Sequence, residues 1–416
     1  MTSVLSDLGD TLPFGRVVKR RRVTNQPDLE PLSVFLDVGV VPRASRDDNH
    51  NRLGSDLSKY LVVEPGDIVF NKLRTWQGGF GFSKYHGIVS PAYFVCQCAS
   101  SFEPRYLHYL FRSTPYLAEL TRISKFMPPS QFDISWEDLK QVPIQQKPLA
   151  EQRLVADYLD VETGRIDKLI STKQQLIELL EERQQVLITG TVLGETNYRG
   201  SATRNLNMNF STRGGCAFDR GWWRGQPPNG WATARLKDLV KLTNGWAFDS
   251  GRFGDTGVPL IRIRDLGKAD TETKYDGPVP QEVLVERGDL LVGMDGDFNS
   301  AVWKGPPAAL NQRLCRLRAV GELDQRYLMY MIDLPLRHIN LLTYATTVKH
   351  LSSVDLLDQR VPLPPRHEQQ AIVDFLDTET ARISEIVQKM RRQIGLLREH
   401  RQALITAAVT GELEIT

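Results

Sequence analysis

The sequence predicts a doubled α/β (α+β) fold: two globular units, each followed by a long helix, related by an internal pseudo-twofold repeat. Three observations carry that prediction. Residues 151–195 recur as residues 368–412, offset by 217, without a gap over 45 positions and with 20 identities. Each copy bears an apolar stripe at alternating steps of four and three, the pattern of a coiled-coil seam. The stretch before each copy also repeats, more loosely, one succession of short strands, turns and a helix.

Residues 1–141 read as the first domain. Stretches 33–39, 61–64, 67–71 and 92–97 look like strands, separated by Gly, Pro, Asn and Asp. Residues 104–120 (PRYLHYLFRSTPYLAEL) read as a helical segment interrupted at Pro115. Residues 142–195 form the first helical region. Pro148 with Glu151 three residues on signals its helix start, and Gly194 sits where it should stop. Its stripe is Ile166, Ile170, Lys173, Ile177, Leu180, Gln184 and Leu187.

Residues 196–230 read as an extended connector, with five arginines against one aspartate. Residues 231–360 are the second domain. VLVERGDLL there answers VVEPGDIV, and RYLMYM answers RYLHYL. Residues 361–416 are the second helical region, opened by Pro365 and Glu368 and closed by Gly411. Its stripe is Ile383, Val387, Met390, Ile394, Leu397, Arg401 and Leu404.

One such stripe needs a partner, and the nearest is the other copy; the simpler alternative packs each stripe on its own domain. The polar positions Lys173, Gln184 and Arg401 cost stability but could fix the register of a pair. A helix over 165–188 would span about 36 Å at ~1.5 Å per residue, close to the roughly 34 Å turn of B-DNA. A parallel pair would leave both domains at one end and an antiparallel pair would put them at opposite ends. The stripes themselves do not choose.

Composition bounds the function classes. A 416-residue chain with 41% hydrophobic and 25% charged residues is that of a globular protein of two to three domains. No apolar run approaches the ~18 residues of a membrane span, and MTSVLSDLGD lacks the layout of a secretory signal. The four cysteines, Cys96, Cys98, Cys216 and Cys315, form no disulfide framework, so a cytoplasmic protein without a membrane partner is expected. The net charge of +2 allows DNA binding through local patches and equally allows none.

No catalytic pattern stands out. Phosphate-loop and Gly-x-Gly-x-x-Gly signatures are absent, and no Pro-Pro pair sits in an amino-methyltransferase motif. Glu272 and Lys274 downstream of Asp265 resemble a nuclease pattern only superficially. Cys96 and Cys98 read as a strand pair, and the seven histidines show no metal spacing, so no metal site is expected.

Basic and aromatic loops remain. Lys19, Arg20, Arg21 and Arg22 make a dense run able to neutralise phosphates, or a solvated surface. Lys72, Arg74, Trp76 and Gln77 lie in a glycine-rich loop after a strand, where they could reach base edges or form an ordinary hairpin. In the second domain, Arg262 and Arg264 alternate along LIRIRDL and should share a face. Asn299 lies in the loop DGDFNS, Asn311, Gln312 and Arg313 follow, and Lys349 and His350 precede a helix start. Together, in two units, they favour a two-headed nucleic-acid reader over a two-headed enzyme.

The chain resembles the specificity subunit of type I restriction–modification systems. The residues that carry the resemblance are EQRLVADYLDVETGRIDKLI…LITGTVLGE and EQQAIVDFLDTETARIS…LITAAVTGE for the two helical regions. PPNGWATARLKDLVKLTNGWAF, GDLLVGMDGDFNSAVWKG, LNQRLCRL and TTVKHLS carry it for one target-recognition domain, and GDIVFNKLRTWQGGFGFS and QFDISWEDLK for the other. The first domain has only Leu12-Pro13-Phe14-Gly15 where the second opens on Pro228 to Trp231.

The resemblance implies two target-recognition domains separated by a long antiparallel coiled coil, each domain reading half of a bipartite site in double-stranded DNA. It implies a non-catalytic chain without cofactor. Two modification (methyltransferase) subunits would bind S-adenosylmethionine and methylate adenine. Restriction/translocase subunits would use ATP and Mg2+. Two alternatives stay open: a stand-alone nuclease or DNA methyltransferase with divergent motifs, and a two-headed interaction scaffold that binds no DNA.

Overall fold

The computed structural model describes residues 5, 10–36, 38–45, 53–127, 131–196, 227–342 and 351–415. The chain forms two compact units, residues 1–176 with 389–416, and residues 177–388. Each mixes helix and sheet.

The main sheet of the first unit has four antiparallel strands in the order Val18–Arg21, Tyr93–Cys98, Ile68–Asn71, Phe80–Phe82. Strand alternation assigns its faces. Ile68, Phe70, Phe94 and Cys96 belong to the main core, whereas Val69 and Val95 pack with Leu32, Val34 and Val40 of the pair Leu32–Phe35 and Gly39–Pro42. At the centre of the main core Phe14, Phe70 and Phe111 meet edge to face at centroid distances of 5.0–5.7 Å, the geometry that aromatic quadrupoles favour. Strands Leu61–Val63, Ile68–Asn71 and Tyr93–Cys98 occupy three of the stretches expected from sequence, whereas the strand expected over 33–39 ends at Phe35 and its antiparallel partner begins at Gly39. Pro115 starts a helix instead of interrupting one. Pro104–Arg112 ends at extended Ser113, and Thr114–Ile123 opens with the proline in its first turn, where a missing N–H costs nothing.

In the second unit the four-stranded sheet runs Val240–Asn244, Leu314–Ala319, Leu290–Gly293, Ser300–Val302. This is the strand order of the first unit in the same chain sequence. A five-stranded sheet lies beside it in the fold. It includes the parallel pairing of Val258–Ile261 with Ala308–Leu310.

Two helices of 44 and 45 residues, Leu149–Val192 and Arg366–Thr410, extend well past the stripes seen in sequence. Their first turns are fastened by repeated polar contacts, in which the helix residues recur at the 217-residue offset and their partners from the preceding domain at 221. Fully buried Gln152 accepts from the Glu103 amide at 2.9 Å and donates to the Lys147 carbonyl at 2.8 Å. Gln369, equally buried, accepts from the Asp324 amide at 2.7 Å and donates to the Pro364 carbonyl at 2.8 Å. Arg105 pairs with Asp157 and Asp160, and Tyr109 donates to Asp160 at 2.7 Å. Arg326 pairs with Asp374 and Asp377, and Tyr330 donates to Asp377 at 2.5 Å.

The far ends are repeated too. Ile405, Ala408 and Val409 complete the core of the first unit, and Leu187 and Val192 that of the second. Both helices stop at a left-handed glycine, Gly194 at φ +75° and Gly411 at φ +84°, where a side chain would be strained.

The apolar stripe positions are all buried or half-buried, with Ile166, Ile177, Leu187, Ile383, Val387 and Ile394 below a tenth exposed. Within the first unit the helical segments run antiparallel, because Lys173 donates to Gln393 at 2.8 Å and Asp167 pairs with Arg401 at 2.9 Å. Two polar interruptions of the stripes thus meet partners on the facing segment. The shortened opening of the first domain has a local consequence. Trp231 donates its indole N–H to Glu368 at 2.9 Å, whereas the equivalent Glu151 pairs with Lys147 at 2.5 Å.

Candidate nucleic-acid interface

In the first unit the loop after strand Ile68–Asn71 is held by its own backbone. Thr75 Oγ1 donates to the Asn71 carbonyl at 2.7 Å, and the Gly79 amide to the Arg74 carbonyl at 2.8 Å. Gly78 is left-handed at φ +89°, and a Cβ on Gly79 would come within 2.7 Å of Arg74. Glycine is required at both positions. The tight loop presents Arg74 and Gln77 to solvent. Trp76 is half-buried, its ring 4.7 Å from that of Phe132 and its Nε1 donating to the Leu73 carbonyl at 3.2 Å. Lys72 lies 4.8 Å over the Phe94 ring, a cation–π contact.

Arg74, Trp76 and Gln77 border a cleft of about 780 Å³, also lined by Arg43, Tyr60, Asn71 and Tyr93. Burial pushes the Tyr93 phenol up, and the nearby Arg74 and Arg43 guanidinium groups oppose that shift.

The basic run does not form one patch. Alternation on strand Val18–Arg21 sends consecutive side chains to opposite faces. Arg20 is half-buried 4.7 Å over Phe94, and Arg21 pairs with buried Asp67 at 2.8 Å. Lys19 and Arg22 are the exposed members.

The expectation for Arg262 and Arg264 is corrected. Strand Val258–Ile261 ends before them, and a 3-10 turn, Ile263–Asp265, takes over. Buried Asp265 enforces that turn by accepting from the Arg262 amide at 3.0 Å. Arg262 then lies 5.5 Å over Phe253, while exposed Arg264 meets Thr273 at 3.2 Å and Glu272 at 3.4 Å. Glu272 also pairs with Lys268 at 2.6 Å, so this carboxylate of the nuclease-like pattern is engaged in surface ion pairs.

Asn311, Gln312 and Arg313 do come together with a loop of the same unit. Arg313 pairs with Asp295, and the Met294 amide donates to the Arg313 carbonyl at 3.0 Å. Asn311 is buried and structural. Its amide donates to Ile261 at 3.1 Å and its side chain accepts from the Arg313 amide at 3.4 Å. Gln312 and Asn299 are exposed. Lys349 and His350 lie outside the described residues.

Sequence reading missed Trp246, which is 54% exposed and bonded through its backbone to Leu310 and Gln312. The signal was Gly245 before it, where a Cβ would lie 2.1 Å from the Asn311 carbonyl oxygen. Arg43, Tyr60 and Tyr93 were also missed, because distant strands bring them to the cleft. Among the described residues no group of three or more His, Cys, Asp or Glu could hold a metal. None of the described helices is long and apolar enough to cross a membrane.

Residues 228–395 match the family model described as type I restriction modification DNA specificity domain. The chain is 41% identical to the EcoBI type I specificity subunit of Escherichia coli over 44% of its own length and 39% of that subunit. It is 23% identical to the MjaVIII specificity subunit of Methanocaldococcus jannaschii over 66% of itself and 63% of that protein. These alignments span less than two thirds of either relative. Its fold resembles that of a chain in a solved structure concerned with complex assembly and conformational transition of the type I R-M system. The TM-score is 0.69 at 18% identity, covering 97% and 98% of the two chains. The second unit is thus similar in sequence to a type I DNA specificity domain, and nearly the whole chain resembles the neighbour in fold alone.

Proposed function

We propose that this chain is the DNA sequence-specificity subunit of a type I restriction–modification complex. The observation that carries the reading is the match of residues 228–395 to a DNA specificity domain. The first unit repeats the strand order and helix anchors of the second, which supports two recognition domains, 1–141 and 231–360, each binding one half of a bipartite site. The helical regions, 142–195 and 361–416, form an antiparallel coiled coil that sets the spacer and docks two modification subunits; residues 196–230 connect the halves.

In this reading the chain is non-catalytic and cytoplasmic. S-adenosylmethionine for adenine methylation belongs to the modification subunits, and ATP and Mg2+ to the restriction subunits. Lysine and arginine contacts to phosphates position the duplex, and loop side chains read base edges. Arg74, Gln77, Gln312, Arg313 and Asn299 are exposed loop candidates, and Lys19, Arg22 and Arg264 are exposed as well. Lys349 and His350 are proposed with them from sequence alone.

Co-expression with the cognate modification subunit, followed by single-base mapping of methylated adenines, tests the assignment. A two-part motif with a fixed gap is expected, and exchanging residues 231–360 for those of a relative changes one part only. No adenine methylation with any cognate partner would remove it.

A further inference from the structure

We propose that the cleft of the first unit receives a single nucleotide, its base against aromatic side chains and its phosphate beside a guanidinium group of the lining. The inference deepens the DNA-specificity reading and rests on it where the nucleotide comes from a bound duplex. A cleft of about 780 Å³ is sized for a small organic ligand, since such sites run roughly 300–1,000 Å³.

Its lining joins Tyr60, Trp76 and Tyr93 with Arg43, Arg74 and Asn71. Flat aromatic faces stack on any base, and arginine suits a phosphate or a purine edge.

The walls are set in advance. Tyr60 Oη accepts from the Gly54 amide at 2.9 Å, and Asn71 Nδ2 reaches Tyr93 Oη at 3.4 Å. Phe132 backs the Trp76 ring, and the Leu73 carbonyl fixes its indole N–H. A ligand entering such a site spends little binding energy on ordering side chains. Among the described residues neither Arg43 nor Arg74 has an ion-pair partner, so their charge faces the cleft or solvent.

The second unit differs at the matching loop. Phe298 is buried there, and Asp295 neutralises Arg313. The proposal is therefore confined to the first unit. An extruded base also leaves the stack at a cost that a stacking wall offsets.

Two measurements on the full-length chain separate the sources. Saturation-transfer NMR with the four deoxynucleoside 5′-monophosphates should show contact to base protons, weakened about tenfold in Arg74→Ala and about tenfold or more in Trp76→Ala. Duplexes carrying 2-aminopurine, scanned through the mapped site, should brighten at one position of one half-site, without S-adenosylmethionine. Mononucleotide binding with dark duplexes assigns the cleft to a free nucleotide; bright duplexes without mononucleotide binding assign it to an extruded base. Neither signal, or signals unchanged in both variants, overturns the proposal. Arg74 is exposed, so its variant decides the matter if Trp76→Ala does not fold. Duplex affinity of the same samples, and adenine methylation once the cognate modification subunit and S-adenosylmethionine are added, test the DNA-specificity reading separately.

Discussion

The identities shared by residues 151–195 and 368–412 have a physical reason at single positions. Gln152 and Gln369 are wholly buried, and each joins the start of its long helix to the turn before the RYLHYL or RYLMYM helix. Gln369→Ala would orphan the Asp324 amide and the Pro364 carbonyl. It should cost about 2–4 kcal/mol, read by urea unfolding, whereas exposed Gln370→Ala should stay within about 0.5 kcal/mol. Equal effects would reject the anchoring role. The thiols give a second test. Burial pushes Cys98 and Cys315 up to about 12, so the thiolate is on the order of 10⁻⁴ of each at pH 8. Modification by an exposed-thiol reagent should then follow unfolding. A raised acid pKa means that the folded state holds its proton more tightly. Stability should therefore be level below about pH 8.5 and fall as pH rises from there towards 12. These anchors were visible in the sequence as identities without assigned contacts. Arg262 and Arg264 were misread because the strand's end depends on buried Asp265 closing a turn, which apolar alternation does not encode.

At the scale of elements, the stripes were legible because burial on a helix face repeats at a fixed period, but they marked only the middle of each helix. The first turns are polar and buried by partners from elsewhere in the fold, and the last turns end in other cores, so helix length exceeded the stripe. The cleft was half legible. Arg74, Trp76 and Gln77 are neighbours in sequence, while Arg43, Tyr60 and Tyr93 arrive from separate strands and turns. The glycine stops were legible and differ in what they require. Gly411 has only the Lys147 ammonium within reach of a Cβ, at 3.8 Å, so Gly411→Ala should cost the left-handed backbone alone, about 1 kcal/mol. Gly194→Ala would also meet Pro228 at 2.3 Å and should cost at least twice as much. Matching melting curves for the two variants would show that the end of Leu149–Val192 relaxes freely.

At the scale of the whole molecule, the proposed function would leave DNA recognition by a near-neutral chain of net charge +2 to local contacts and to a separation set by the helices. That separation must agree with DNA in distance and in phase. Seven residues inserted into each helix preserve the stripe and add about 10 Å at ~1.5 Å per residue. That equals roughly three base pairs at ~3.4 Å each, about a third of a DNA turn. The second recognition domain would then face the wrong side of the duplex, and methylation should fall about tenfold or more, since binding must twist the DNA or the rod. Twenty-one residues in each helix add about 31 Å, close to the roughly 34 Å turn that restores the facing groove. Methylation should recover, with both half-site sequences unchanged and the gap longer by about nine or ten base pairs. The paired insertion matters because the facing segments run antiparallel in the first unit, where Lys173 meets Gln393 and Asp167 meets Arg401. Lengthening one helix alone should unmatch those contacts and abolish activity. A gap that stays constant while the long insertion remains active would show that the helices do not set the spacing.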